Sequence, residues 1–263
     1  MHQIKIGCTV HPQHSTYQQL RDTWLKVEEL GADSLWTWDH FFPLYGNPEG
    51  MHFEGYSLLA AMAEATSAIP FGMLVTCNSY RNPNLLADMA RTIDHISGGR
   101  HILGIGAGWF ERDYDEYGYE FKTAPDRLRD LDAAMPVIRD RLSKLNPGPV
   151  NGKIPIMIGG SGPRVTLRIT AQYADMWNGG GTPEEYAEKN RILDAWCAKT
   201  GRDPSEIERT LNRSDPDILD RAEEFITAGA THFIIAARGP EFDLRLVRNM
   251  VEWRNTRSAS NSR

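Results

Sequence analysis

Asp39-His40 places a carboxylate beside an imidazole at the end of an apolar run. Histidine titrates near neutrality and can give a proton to, or take one from, a reacting group. His40 is therefore the leading acid/base candidate, with Asp39 expected to orient it. A purely structural hydrogen-bonding pair is the plainer alternative. Gly159-Gly160-Ser161-Gly162 lies between an apolar run and a helical stretch. Unhindered backbone N–H groups at a helix N-terminus suit an anion such as a phosphate, although the same glycines could serve only a tight strand-to-helix turn. Gly179-Gly180-Gly181, after Asn178, would complete a phosphate-binding rim. Trp109 follows Gly106-Ala107-Gly108, where a flat aromatic could line a pocket for a planar molecule, whereas Trp36 and Trp177 read as core filling.

Other chemistry-bearing residues are weaker candidates. His11 and His14 straddle Pro12 without a His-x-His partner, so no metal is expected. His2, His52, His95, His101 and His232 read as structural or solvated. Cys8, Cys77 and Cys197 are odd in number and contain no CxxC pair, which argues for reduced thiols over a disulfide framework or a zinc knuckle.

These residues need a scaffold that brings them together, and the hydropathy pattern supplies one. Strands are expected at Ile4–Val10, Ser34–Trp38, Phe71–Thr76, His101–Gly106, Pro155–Gly159, Asp175–Asn178, Ile207–Asn212 and Thr231–Ala236. Helices are expected between them: Tyr17–Leu30, Tyr56–Ser67, Pro83–Ile96, Ala124–Leu142, Arg164–Tyr173, Pro183–Lys199, Pro216–Ala228 and Phe242–Trp253. In the first helix Leu20, Trp24, Val27 and Leu30 share one face, and Gly31 supplies a left-handed cap. Eight β-α alternations over residues 1–255 predict one (β/α)8 TIM barrel, with a doubly wound open sheet as the alternative. In such a barrel the chemistry lies at the C-terminal strand ends, where His11, His40, Thr76, Asn78, Trp109 and Gly159 all fall. Residues 256–263 read as a frayed polar tail.

Composition narrows the partners. The 263 residues carry 29 Lys+Arg against 35 Asp+Glu, a net charge of -6, with no basic cluster of the kind that binds a nucleic-acid backbone. The longest apolar runs fall far short of the roughly 20 residues that span a bilayer. No signal peptide is read at the start, so a cytoplasmic protein acting on a small molecule is expected.

Five runs, in order, are similar to a known family: Ser34-Leu-Trp-Thr-Trp-Asp-His40, Leu74-Val-Thr-Cys-Asn-Ser-Tyr-Arg-Asn-Pro83, Ile96-Ser-Gly-Gly-Arg100, Gly104-Ile-Gly-Ala-Gly-Trp109 and Ile156-Met-Ile-Gly-Gly-Ser-Gly162. Together they cover nearly the whole chain and resemble the bacterial luciferase-like superfamily, in its coenzyme F420-dependent oxidoreductase branch. The resemblance implies a luciferase-like TIM barrel holding the deazaflavin F420, or FMN in relatives, at the C-terminal strand ends. It implies a bulge with a non-prolyl cis peptide within Met73-Leu74-Val75-Thr76, on which the ring rests. Asp39 and His40 would lie near the ring, Leu74, Val75, Thr76 and Asn78 beneath or beside it, Gly106, Ala107, Gly108 and Trp109 along its edge, and Gly159, Gly160, Ser161 and Gly162 at the side-chain phosphate.

The implied reaction is hydride transfer between the cofactor C5 and a small organic substrate, with His40 moving the accompanying proton. Trp109 and Tyr80 would wall the substrate side, Glu54 or Tyr56 would form a lid, and Arg81, Arg112 or Arg164 would offset the cofactor's acidity. Two features depart from the pattern. Sugar-phosphate dehydrogenases of the family carry a carboxylate where this chain has Trp109, and Leu145–Lys153 is short for the insertion expected there. The alternatives are an FMN-dependent monooxygenase, a barrel that binds cofactor without turnover, and a metal-dependent hydrolase. A homodimer is expected from the family resemblance.

Overall fold

A computed structural model describes residues 3–261. His2 lies outside the described residues. The chain opens with β1 (Lys5–Val10), α1 (Tyr17–Glu29), β2 (Ser34–Thr37) and α2 (Gly55–Ala65). It continues through β3 (Phe71–Met73), β4 (Thr76–Cys77), α3 (Pro83–Ile96), β5 (His101–Gly106), α4 (Glu111–Tyr117) and α5 (Ala124–Lys144). The second half holds β6 (Ile156–Gly159), α6 (Thr166–Tyr173), β7 (Met176–Gly179), α7 (Pro183–Thr200), β8 (Glu208–Arg213), α8 (Ala222–Thr227), β9 (His232–Ala237) and α9 (Arg245–Asn261).

Every strand pairing is parallel, in the order β3-β2-β1-β9-β8-β7-β6-β5-β4, and a further β3–β5 pairing closes the ring. β3 and β4 are two halves of one stave interrupted at Leu74–Val75, so the barrel has eight staves, as the alternation predicts. The open-sheet alternative is excluded by that closure.

The helices form where local chemistry favours them. Thr16 and Thr182 each cap a helix reciprocally with the residue three positions on, Gln19 and Glu185, and Pro183 occupies the first turn of α7. Two cores result. The larger lies between barrel and helices and contains Leu20, Trp24, Phe71, Trp177 and Phe225. The smaller fills the barrel interior with Trp36, Ile102, Met157, Met176 and Ile234, and Leu74 and Val75 pack on it. Trp36 Nε1 donates to Ser34 Oγ at 2.7 Å, and Ser34 meets His232 Nε2 at 2.8 Å, so the buried indole N–H is satisfied at the strand N-terminal end.

Three local expectations are corrected. Asp215-Pro216 opens a 3-10 turn, Pro216–Ile218, and α8 begins only at Ala222. The last helix starts at Arg245, where Asp243 Oδ1 accepts the Arg245 N–H at 2.9 Å. It runs to Asn261, past the Trp253 end expected for it, and Arg257 pairs with Glu223 at 2.8 Å. Helix α4 is an addition: its seven residues show no long apolar period, and only Gly118, capping it at φ 71°, marks its end in the sequence. Cys8, Cys77 and Cys197 are buried and unpaired. Among the described residues no helix is long and apolar enough to cross a membrane.

Candidate active site

The break in the third stave builds a ledge. Strand pairing stops at Met73 and resumes at Thr76, the Leu74–Val75 peptide between them is cis, and the Leu74 N–H donates to the Thr37 carbonyl at 2.7 Å. The adjoining glycines exist to admit it. A Cβ on Gly104 would lie 1.8 Å from the Met73 carbonyl oxygen, one on Gly106 2.8 Å from a Val75 methyl, and one on Gly159 3.0 Å from the other. Gly108 adopts φ 78°, and a Cβ there would lie 2.1 Å from Tyr114 Oη and 2.4 Å from Cys77 Sγ.

Beside the ledge stands His40. Its Nδ1 is 2.7 Å from Asp113 Oδ2, and the Asp113 carboxylate also accepts from Tyr80 Oη at 2.9 Å and from the Phe41 N–H at 3.0 Å. Asp113 is fully buried on α4. A carboxylate can only accept, so Nδ1 carries the ring proton and Nε2 is left as the free nitrogen. The expected orienting role of Asp39 is therefore corrected. Asp39 takes a two-pronged pair from Arg81, at 2.6 and 2.8 Å, and the Cys77 N–H at 2.9 Å. Consecutive residues leaving a strand point to opposite sides, which sends the two side chains to different partners.

The two expected lid residues are also corrected. Glu54 caps α2 through the Tyr56 and Ser57 N–H groups and pairs with Arg81 at 3.0 Å, while Tyr56 is buried with its hydroxyl 2.8 Å from Thr76 Oγ1. The segment after β2 is held by the loop after β1. Gln13 bonds the Leu44 N–H and the Tyr45 carbonyl, His14 Nε2 donates to the same carbonyl at 2.7 Å, and His11 Nδ1 lies 2.7 Å from Tyr45 Oη. His11 stacks on Trp38 with centroids 4.1 Å apart, and Trp38 Nε1 donates to His52 Nε2 at 3.0 Å. Burial, as the main cause, lowers His11 to about 3 and His52 to about 4, so both are neutral. Burial likewise pushes the Cys77 thiol and the Tyr80 and Tyr114 hydroxyls up, which keeps all three protonated.

A cavity of about 340 Å³ opens here, at the C-terminal ends of β2, β4, β5, β6 and β7. Its walls gather Asp39, His40, Leu74, Val75, Thr76, Gly106, Ala107, Gly108, Trp109, Gly159 and Gly160. Asn78, Ser161 and Gly162 are not on its wall: Asn78 is buried in a 3-10 turn, and the other two lie further along toward α6. Cys77, Tyr80, Leu128, Thr166 and Asn178 complete the lining. Asp113, which acts from behind, was missed because its helix is short and it lies 73 positions from His40. Its signal is an acid beside Tyr114 in a segment closed by a glycine cap.

The glycine segment after β6 is partly engaged. The Gly160 N–H donates to the Asn178 carbonyl at 3.1 Å, and the Gly160 carbonyl accepts from Trp177 Nε1 at 2.8 Å. The Ser161, Gly162 and Arg164 N–H groups have no acceptor among the described residues, and Val165 at the helix start makes no side-chain cap. Of the three expected arginines, Arg81 and Arg112 are tied into ion pairs with Asp39 and Glu49, while Arg164 is exposed beside α6.

Comparisons with known proteins agree with this architecture. A family profile described as luciferase-like monooxygenase matches residues 1–260. The chain is 30% identical over 254 residues to the 5,10-methylenetetrahydromethanopterin reductase of Archaeoglobus fulgidus, covering 90% of this chain and 72% of that one. It is 30% identical over 139 residues to an F420-dependent glucose-6-phosphate dehydrogenase of Amycolatopsis mediterranei, spanning 52% of this chain and 41% of the relative. It is 32% identical over 174 residues to the pyrimidine monooxygenase RutA of Caulobacter vibrioides, of which it spans 48%. Among solved structures, an F420-dependent secondary alcohol dehydrogenase in complex with an F420-acetone adduct superposes with a TM-score of 0.83 at 17% identity, over 95% of this chain and 98% of that one.

Proposed function

The chain belongs to the luciferase-like monooxygenase family, and from that premise we propose that it is an F420-dependent oxidoreductase acting on a small organic substrate. The observation that carries this reading is the ledge with its glycine clearance. Leu74 and Val75 offer a flat apolar support, and Gly106 and Gly159 make room for the Val75 methyls that form it. The residues present fit a planar tricyclic ring, and the free amides at Ser161, Gly162 and Arg164, with the start of α6, suit its phosphate. When bound, F420 supplies two-electron hydride chemistry at C5.

The protein's own part is to hold the reactants and move a proton. His40, fixed by Asp113, exchanges that proton with the substrate through Nε2. Cys77, Tyr80 and Tyr114 stay protonated and shape the wall. The names of two sequence relatives and of the superposed alcohol dehydrogenase support F420 or its pterin-reducing chemistry.

The test is a tryptophan-fluorescence titration with F420 and, separately, FMN. Quenching by F420 at micromolar concentration with little response to FMN is the expected result. Tighter binding of FMN, with oxygen consumption under reducing conditions, would replace this reading by a flavin monooxygenase like the relative RutA.

A further inference from the structure

Side chains of β9 alternate between the helix layer and the barrel interior. His232 meets Ser34 inside the barrel, Ile234 fills its core, and the same period carries on to Ala236 and then Arg238, just past the strand end. Arg238 therefore leaves β9 on the face that looks into the mouth. In the ring of eight staves β9 lies opposite β5, whose glycines border the ledge. The Arg238 guanidinium lies 5.1 Å from the centre of the Tyr45 ring, and its Nη2 donates to Ser214 Oγ at 3.1 Å. Both neighbours are uncharged. Burial chiefly, with the Arg238 charge itself, keeps the nearby His11 neutral as well. Arg238 is exposed, and among the described residues it forms no ion pair, not even with Glu241, the nearest acid along the chain. Arg81, Arg112 and Arg213, on the same rim, are each paired with a carboxylate. Arg164 stands at α6, three staves from β9 and beside the amides suited to the cofactor phosphate.

An arginine carries five N–H donors in a planar fork that matches a carboxylate or a phosphate. Charge decides between the two. One guanidinium balances one carboxylate, whereas a phosphate monoester carries about 1.5–2 negative charges at pH 7. Among the described residues this sector of the rim has no second unpaired cation to meet the surplus, and the chain as a whole has a net charge of -6.

We propose that the substrate is a carboxylic acid and that Arg238 binds its carboxylate, on the side of the mouth opposite the ledge. This rests on the F420 reading, which sets the ring on the ledge and the cofactor phosphate at α6 and so leaves the β9 sector to the substrate. Arg238 is then a specificity-determining residue. It selects the acid and turns the other end of the molecule toward the ring, without touching the reacting atoms.

Calorimetric titration of the F420-loaded protein with benzoate, benzyl alcohol and phenyl phosphate, at constant ionic strength, tests it. Benzoate is expected to bind at least tenfold tighter than the neutral alcohol, and tighter than the phosphate. Arg238→Gln should bring benzoate down to the level of the alcohol, while Arg238→Lys, which keeps the charge, should retain part of the preference. Because Arg238 is exposed, its replacement leaves the core intact, which circular dichroism verifies. The cofactor's own acidic tail is the competing occupant. F420 and a truncated deazaflavin lacking the phosphate and glutamates should each bind Arg238→Gln within twofold of the parent. Loss of F420 affinity with the truncated ring unaffected would assign Arg238 to the tail and overturn the proposal. Benzoate no tighter than benzyl alcohol, benzoate binding unchanged in Arg238→Gln, or phenyl phosphate as tight as benzoate would overturn it too. Failure of F420 to bind the parent would sink the cofactor reading alone, since benzoate titration of the cofactor-free protein still judges Arg238.

Discussion

In the proposed function, proton transfer at this site runs through His40 as Asp113 holds it. Replacing Asp113 by asparagine preserves shape but turns one acceptor into a donor. Whichever way the amide is placed, an N–H group then faces either the Phe41 N–H or the His40 and Tyr80 donors. Asp113→Asn is therefore expected to lower turnover on the order of 10²-fold and stability by about 1–3 kcal/mol. Steady-state kinetics at saturating cofactor, with urea unfolding of the same variant, measure both. Turnover equal to the parent's would show that Asp113 is not needed to position His40. The histidine was legible from its place at a strand end. Its partner was not, because adjacency in sequence favoured Asp39, while the operative carboxylate arrives from a seven-residue helix with no periodicity to announce it.

At the scale of elements, the ledge explains why glycine recurs in β5 and just after it. The family resemblance sets Gly106 and Gly108 along the edge of the ring; in the structure Gly104, Gly106 and Gly108 answer to steric contacts with Met73, Val75, Cys77 and Tyr114. Gly104→Ala must push its methyl against the Met73 carbonyl, so it is expected to cost about 1–3 kcal/mol as an overpacking change and to weaken F420 binding by displacing the ledge. Gly148→Ala is the control, since its nearest neighbour would be 3.7 Å away, and it should bind F420 as the parent does. Thermal unfolding and the fluorescence titration separate the two. The strand and helix segments and the Gly31 cap were readable because period and capping are local properties. The split of the third stave was suggested by family resemblance alone, since Met73-Leu74-Val75-Thr76 is an uninterrupted apolar strand to any pattern of hydropathy.

For the molecule as a whole, the barrel buries imidazoles in the neutral form, and that links stability to pH. Burial lowers His101 to about 3, and burial chiefly, with the nearby Arg238 charge, lowers His11 to about 3; His52 falls to about 4. In the unfolded chain each titrates near 6.5. As pH falls below that value the unfolded chain takes up protons that the native state refuses, so stability drops, by up to about 1.4 kcal/mol per pH unit for each histidine. Glu208 behaves differently. Burial would raise it, but His232 and Lys5 hold it down at about 2, so its contribution is lost only as pH falls from its unfolded value of 4.5 toward 2. Between pH 6.5 and 4.5 Glu208 therefore adds little to the loss that these three histidines cause. His101 is the cleanest probe, being 1% exposed, packed on the Phe71 ring and away from the cavity wall. His101→Leu keeps an apolar group of similar size there and removes one titration. Urea unfolding at pH 6.5, 5.5 and 4.5 should show the variant losing less stability than the parent, by about 1 kcal/mol over the first unit and about 1.3 kcal/mol over the second. Parallel losses in the two proteins would mean that His101 takes up its proton in the folded state as readily as in the unfolded chain.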